Sequence, residues 1–115
     1  MTRRIHKLLY DVWLVVEQIN AFVADTPTFA AYAAGPRTQS AVNWQLAIVG
    51  EATNKLRQEH PSVELPSARQ IIALRNRLVH VYDNVDNGST WDVTHLHLPA
   101  LREDVRHRID EIELA

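Results

Sequence analysis

Residues 75–82 carry the side chains best suited to chemistry in this chain. They are two guanidiniums, an amide, an imidazole and a phenol, from Arg75, Arg77, Asn76, His80 and Tyr82. A histidine can accept or donate a proton near neutral pH, and an arginine can bind phosphate oxygens with a fork of donors. Such groups are also common on solvated helix faces, so their presence indicates a site without deciding its use.

The same segment continues an apolar stripe that predicts a core-facing helix. Its apolar members recur at spacings of three and four: Ala68, Ile71, Ile72, Leu78 and Val79. Arg75 and Tyr82 fall on this stripe, whereas Asn76, Arg77 and His80 lie on the neighbouring polar face. Because burying a guanidinium without a partner is costly, Arg75 at a core-facing position is unusual.

Length and composition indicate one globular domain spanning residues 1–115. Three glycines and five prolines leave little material for many tight turns, which favours a few long helices. The absence of cysteine excludes disulfide frameworks, thiolate zinc sites and cysteine nucleophiles. No apolar run approaches the roughly 20 residues of a membrane span, and no signal-peptide core is present, so we expect a cytoplasmic protein.

The charge balance argues against binding of polyanions by bulk charge. The formal net charge is −2 and the pI is about 6.3. Any contact with nucleic acid must therefore come from a local basic patch. We expect Arg69 and Arg77 to extend such a patch around Arg75.

The hydrophobic periodicity predicts an all-α, up-and-down bundle of four main helices with short additional helices. The main helices are expected at residues 3–24, 38–59, 68–82 and from 98 onward. A short helix ending near residue 34 is expected to have Thr26 as its N-cap and Pro27 in its first turn. Another, at residues 91–95, is expected to be capped by Ser89 or Thr90 after a polar turn.

The second long helix is expected to be central. Its buried face is predicted to comprise Val42, Leu46, Val49 and Leu56, widened by Trp44, Ile48 and Ala52. Gly50 costs about 1 kcal/mol relative to alanine in mid-helix, which indicates close approach of another helix. Glu51 is either a surface charge or the partner of a buried arginine, and Arg75 is then the natural candidate.

Other familiar sites are excluded by spacing. His95 and His97 are two residues apart, which directs them to different sides of a helix, and no carboxylate cluster completes a metal site. No Gly-rich phosphate loop, nucleophile elbow or EF-hand pattern occurs. We therefore expect neither a metal nor a cofactor.

The spacing Arg75-x4-His80-x-Tyr82 resembles the RX4HXY signature of the HepT-type HEPN proteins. Residues 48–52, Ile-Val-Gly-Glu-Ala, look like the family's apolar-apolar-Gly-Glu-Ala segment. Further landmarks follow in the family's order: Asp83, Val85-Asp86, Trp91-Asp92 and residues 98–101. The resemblance covers nearly the whole chain, although Ser67-Ala68 stands where the family often has an aromatic residue before the third helix.

This resemblance implies the ribonuclease toxin of a two-gene toxin–antitoxin system, with tRNA or mRNA as substrate. Arg75 and His80 would be the catalytic pair. Asn76, at the position where a polar residue usually follows the arginine, would belong to the catalytic site and orient either the phosphate or the imidazole. The antitoxin would be a minimal nucleotidyltransferase that neutralises the toxin by transferring AMP to Tyr82. Metal-independent cleavage needs a base to deprotonate the 2′-hydroxyl, an acid to protonate the 5′-oxygen and a positively charged group beside the dianionic phosphorane. It leaves a 2′,3′-cyclic phosphate. His80 suits either proton transfer.

Helix geometry adds an expectation about assembly. Five residues along an ideal helix rotate by about 140°, so Arg75 and His80 do not share one face. Either the helix ends or bends near His80, or a second chain places its motif opposite; we favour a homodimer, with a larger hetero-oligomer when the antitoxin binds. Two other classes stay open: a non-catalytic HEPN companion that binds nucleotide or a nucleotidyltransferase, and a plain helical interaction protein.

Overall fold

The computed structural model describes residues 2–80 and 86–114, and every regular element in those ranges is helical. The elements are α1 (Thr2–Val23), α2 (Phe29–Ala33), α3 (Pro36–Glu59), α4 (Ala68–His80), α5 (Asn87–Asp92), a π-type segment (Val93–His97) and α6 (Leu98–Leu114). Four of these, α1, α3, α4 and α6, are long, which confirms the predicted all-α class. No helix in the described ranges combines the length and apolar character needed to cross a membrane.

α3 is the central helix, because it packs against both α1 and α4, while α1 also packs against α6. One hydrophobic cluster fills the space among these helices. Its fully buried members include Leu9, Val12 and Ile19 of α1, Val42, Leu46, Val49 and Leu56 of α3, Ile71 of α4, and Leu98, Leu101 and Val105 of α6. Burial of each such aliphatic side chain contributes about 1.5–3 kcal/mol, so this cluster fixes how the four helices meet.

The start of α2 differs from the prediction. Thr28 is the N-cap, since its Oγ1 accepts a hydrogen bond from the N–H of Ala31 at 3.1 Å. Thr26 instead donates its hydroxyl to the carbonyl of Val23 at 3.3 Å, at the end of α1. The two threonines flank Pro27, and only Thr28 immediately precedes the helix, where a side-chain oxygen meets an unpaired backbone N–H.

The prediction for the start of α5 is also wrong. Asp86 is its N-cap, with Oδ1 accepting from the N–H of Ser89 at 2.7 Å. Residues 87–89 therefore form the first helical turn, and neither Ser89 nor Thr90 is the cap. Asp86 is the cap because it immediately precedes the helix, so its carboxylate can accept from the backbone N–H three residues later. α3 likewise begins at Pro36, earlier than predicted, since proline suits the first helical position.

Three predicted core residues are exposed. Trp44 is 69% exposed and Ile48 is 38% exposed. At 100° per residue, Trp44 lies about 200° around α3 from Val42, which places it on the opposite side from the buried stripe. Val79 does continue the α4 stripe but is 48% exposed near the end of that helix.

Candidate active site

Arg75 lies where α4 packs against Gly50 of α3. A Cβ built on Gly50 would lie only 2.7 Å from Cγ of Arg75 and 3.3 Å from the carbonyl oxygen of Ile71. Only glycine therefore allows this approach, which confirms the close contact predicted at Gly50. As a result, the Arg75 side chain is largely covered by α3 and is only 22% exposed.

Two side chains hold the guanidinium of Arg75. Its Nη1 donates to Oδ1 of Asn76 at 2.9 Å, and its Nη2 donates to Oε2 of Glu51 in an ionic hydrogen bond. Its Nε is buried and has no hydrogen-bond partner in the described part of the chain. Of the two interpretations of Glu51, partnership with Arg75 is the one observed, although the glutamate side chain remains 57% exposed.

The Arg75–Glu51 pair stands in a groove formed by α1, α3 and α4, with a volume of about 700 Å³. Large exposed apolar side chains form much of its wall: Leu14, Trp44, Ile48 and Val79. Charged side chains of both signs complete it: Arg4, Lys7, Asp11 and Lys55. Lys7 and Asp11 pair with each other at 2.9 Å, so Glu51 is the carboxylate that faces Arg75. The groove can hold an anionic group against a guanidinium, with a carboxylate beside it.

The other predicted basic residues lie apart from this groove. Arg77 is exposed on α4 and does not line the groove. The pKa of the Asp86 carboxyl is lowered chiefly by the hydrogen bond from the N–H of Ser89, with a smaller contribution from the charge of Arg77. Arg69 lines a different cavity of about 420 Å³, together with Arg57 and the linker before α4. The described side chains therefore join Arg75 with Asn76 and Glu51, and leave Arg69 and Arg77 separate.

The structure does not describe the side chains of two predicted site residues. α4 includes the backbone of His80, but the side chain of His80 and the whole of Tyr82 lie outside the described residues. Their assigned roles stay predictions.

The sequence held signals for the groove that the motif alone did not reveal. Glu51 and Lys55 are four residues apart on α3 and both line the groove, as does Leu14 of α1. The strongest signal is the Gly50-Glu51 pair in mid-helix. A glycine that destabilises a helix marks a close contact with another helix, and the charged residue next to it then lies at the edge of that contact. Nothing in the local sequence of α1 indicates that this helix forms one side of the groove.

Comparison with known proteins gives a consistent result. The family described as Ribonuclease HepT-like matches residues 14–108. The probable ribonuclease HepT of Thermococcus cleftensis is 31% identical over 105 residues, which cover 87% of this chain and 92% of that protein. A protein of Methanocaldococcus jannaschii that carries the provisional name of an RNase is 24% identical over 115 residues, covering 96% of each chain. No solved structure matches.

Replacement of Gly50 by alanine is expected to destabilise the protein, although alanine is the better helix former. The added methyl would meet Arg75 and Ile71, so α3 and α4 must separate, at a cost of about 1–3 kcal/mol. Urea denaturation measures this directly. Gly35→Ala is the control, because a Cβ there meets its nearest neighbour at an ordinary 3.4 Å. A Gly50→Ala protein as stable as the wild type would contradict the close-contact argument.

Proposed function

Because this chain belongs to the HepT-like ribonuclease family, we propose that it is a metal-independent RNA endonuclease and the toxin of a toxin–antitoxin pair. The observation that supports this most is the Arg75 guanidinium at the edge of an open groove. Two side chains orient it, and the remaining N–H groups of Nη1 and Nη2 are left for a ligand. A pre-oriented guanidinium suits a phosphodiester and the charge that develops on it during cleavage.

In the proposed reaction, Arg75 binds the non-bridging oxygens of the scissile phosphate. The 2′-oxygen attacks phosphorus and the bond to the 5′-oxygen breaks, which gives a 2′,3′-cyclic phosphate and a 5′-hydroxyl. His80 transfers a proton in one of these steps, and Asn76 orients Arg75 through their 2.9 Å hydrogen bond. Arg77 and Arg69, both exposed on α4, would contact phosphates farther along a tRNA or mRNA strand.

The first test is RNA cleavage in EDTA by the wild type and by His80→Ala. We expect the wild type to cut and leave cyclic phosphate ends, and His80→Ala to be roughly 100-fold slower or more, as for loss of an acid–base group. His107→Ala is the matched control, because this exposed histidine of α6 does not line the groove. If the wild type cuts no RNA, the toxin proposal fails and a non-catalytic companion of a nucleotidyltransferase becomes the leading interpretation.

We also propose that a minimal nucleotidyltransferase is the antitoxin and that it attaches AMP to Tyr82. The support is the position of Tyr82 two residues after His80, in the motif that begins with Arg75. A phosphate added there would be available to the Arg75 guanidinium and would repel the phosphates of RNA.

Coexpression with the nucleotidyltransferase of the neighbouring gene tests this proposal. Intact-mass analysis is expected to show added AMP on the wild type and none on Tyr82→Phe, and the modified wild type should not cleave RNA. Tyr10→Phe is the control, because Tyr10 is 37% exposed on α1 and lies outside the motif. Modification of Tyr82→Phe, or cleavage by the modified wild type, would contradict the proposal.

The groove also supports a homodimer. Its exposed apolar residues lie side by side, and contiguous patches of this kind mark association surfaces. Its charges carry both signs, so unlike charges can pair when the same surface of two copies meets about a two-fold axis. Because Arg75 and Val79 of α4 line the groove, a second copy packed on its apolar wall would place a second motif opposite the first, so that the two motifs line one cleft open to RNA. Such a dimer could combine further with the antitoxin.

Substitution of one groove leucine by glutamate is expected to separate the dimer. Leu14 is 57% exposed in the groove, so Leu14→Glu would place a charge in the proposed interface. Leu96→Glu is a matched control, because Leu96 is 64% exposed but does not line the groove. Sedimentation velocity should show a dimer for wild type and Leu96→Glu and a monomer for Leu14→Glu. Equal masses for both variants would overturn this interface.

A further inference from the structure

Glu51 is the second charged group of the Arg75 site. Its carboxylate accepts a hydrogen bond from Nη2 of Arg75 across the α3–α4 contact, yet more than half of its side chain faces the groove. The exposure leaves its second oxygen available to a ligand bound at the same guanidinium.

The hydrogen bonds of Arg75 restrict where a phosphate can bind. Nη1 already donates to Asn76, Nη2 donates to Glu51, and Nε is buried. The donors that remain are the second hydrogens of Nη1 and Nη2. A phosphate that accepts from them lies next to the Glu51 carboxylate. In RNA the 2′-hydroxyl stands beside the scissile phosphorus, about 3–3.5 Å away in a reactive conformation, so this hydroxyl comes within reach of Glu51.

The other charged side chains of the groove do not compete for this role. Asp11 is paired with Lys7 at 2.9 Å. Lys55, one turn after Glu51 on α3, and Arg4 of α1 are cations. Among the described residues that line the groove, Glu51 is thus the proton acceptor at the guanidinium.

We propose that Glu51 is the general base of the ribonuclease reaction and that His80 is therefore its general acid. This inference rests on the proposed function. Glu51 takes the proton of the 2′-hydroxyl as the 2′-oxygen bonds to phosphorus. The bond from phosphorus to the 5′-oxygen breaks, and the 5′-oxygen takes a proton from the His80 imidazolium. The cyclic phosphate and the 5′-hydroxyl depart, and exchange of protons with water returns Glu51 and His80 to their starting forms.

Glu51→Gln separates a base from a residue that only positions Arg75. The glutamine carbonyl can still accept from Nη2, but it cannot take a proton. A base role therefore predicts a fall in kcat of roughly 10²- to 10⁴-fold with little change in KM, whereas a positioning role predicts activity near wild type. Glu59→Gln is the matched control, since Glu59 also lies on α3 and pairs with an arginine, Arg4, at 3.4 Å, outside the groove lining. Glu51→Asp, which keeps the carboxylate, should retain more activity than Glu51→Gln.

A substrate with sulfur in place of the scissile 5′-oxygen assigns the two proton transfers. A thiolate leaves without an acid, so His80→Ala should recover most of its activity on this substrate, whereas Glu51→Gln should stay slow. Near-wild-type cleavage by Glu51→Gln, or its recovery on the sulfur substrate, would overturn the assignment and leave the ribonuclease proposal standing. Absence of RNA cleavage by the wild type would instead refute the proposed function, and this inference with it.

Discussion

The contact of α4 with Gly50 of α3 is the constraint on which the candidate site depends. A side chain at Gly50 would occupy the space taken by Arg75, so the absence of one brings Arg75 under the edge of α3. There the guanidinium loses much of its hydration, which would be costly without partners. Glu51, the neighbour of that glycine, supplies one partner and Asn76, the neighbour of the arginine, supplies the other. Two pairs of adjacent residues thus build the site at one helix crossing.

The Arg75–Glu51 pair contributes little to stability. Ion pairs with a solvent-exposed partner are worth about 0–1 kcal/mol, and the glutamate here is 57% exposed. The mid-helix glycine is itself unfavourable by about 1 kcal/mol relative to alanine. The crossing is therefore stabilised by the aliphatic residues around it, such as Val49 and Ile71, which are fully buried. The stability of the core therefore supports this local arrangement of Arg75 and Glu51.

The groove also depends on the position of α1, which is stabilised by contacts with α6. Arg102 of α6 donates to Glu17 of α1 at 2.6 Å, and its guanidinium lies 4.3 Å from the ring centre of Trp13. About one turn before Trp13, Tyr10 donates to Glu113 near the C-terminal end of α6 at 2.9 Å. These contacts fix α1, whose adjoining face presents Leu14 to the groove. The apolar side chains and the Arg75–Glu51 pair consequently line the same groove.

The sequence by itself determined the all-α class, the positions of the long helices to within a few residues, and the close contact at Gly50. These follow from local rules, since a period of three and four residues gives an apolar stripe and a mid-helix glycine marks a close neighbour. Caps were less predictable, because Thr26, Thr28, Ser89 and Asp86 are all chemically suitable and the exact first turn decides among them.

Only the tertiary structure decided between the two interpretations of Glu51 and revealed the groove. Glu51 and Arg75 are 24 residues apart, so their contact is set by how α3 and α4 pack rather than by either segment. A central helix that contacts several neighbours is expected to bury Trp44, but the packing of α3 leaves that side of the helix uncovered. Leu14 and Arg75 meet the same groove only through the placement of α1. Hydrophobic periodicity specifies which residues can be buried, whereas the packing of the helices decides which surfaces stay open.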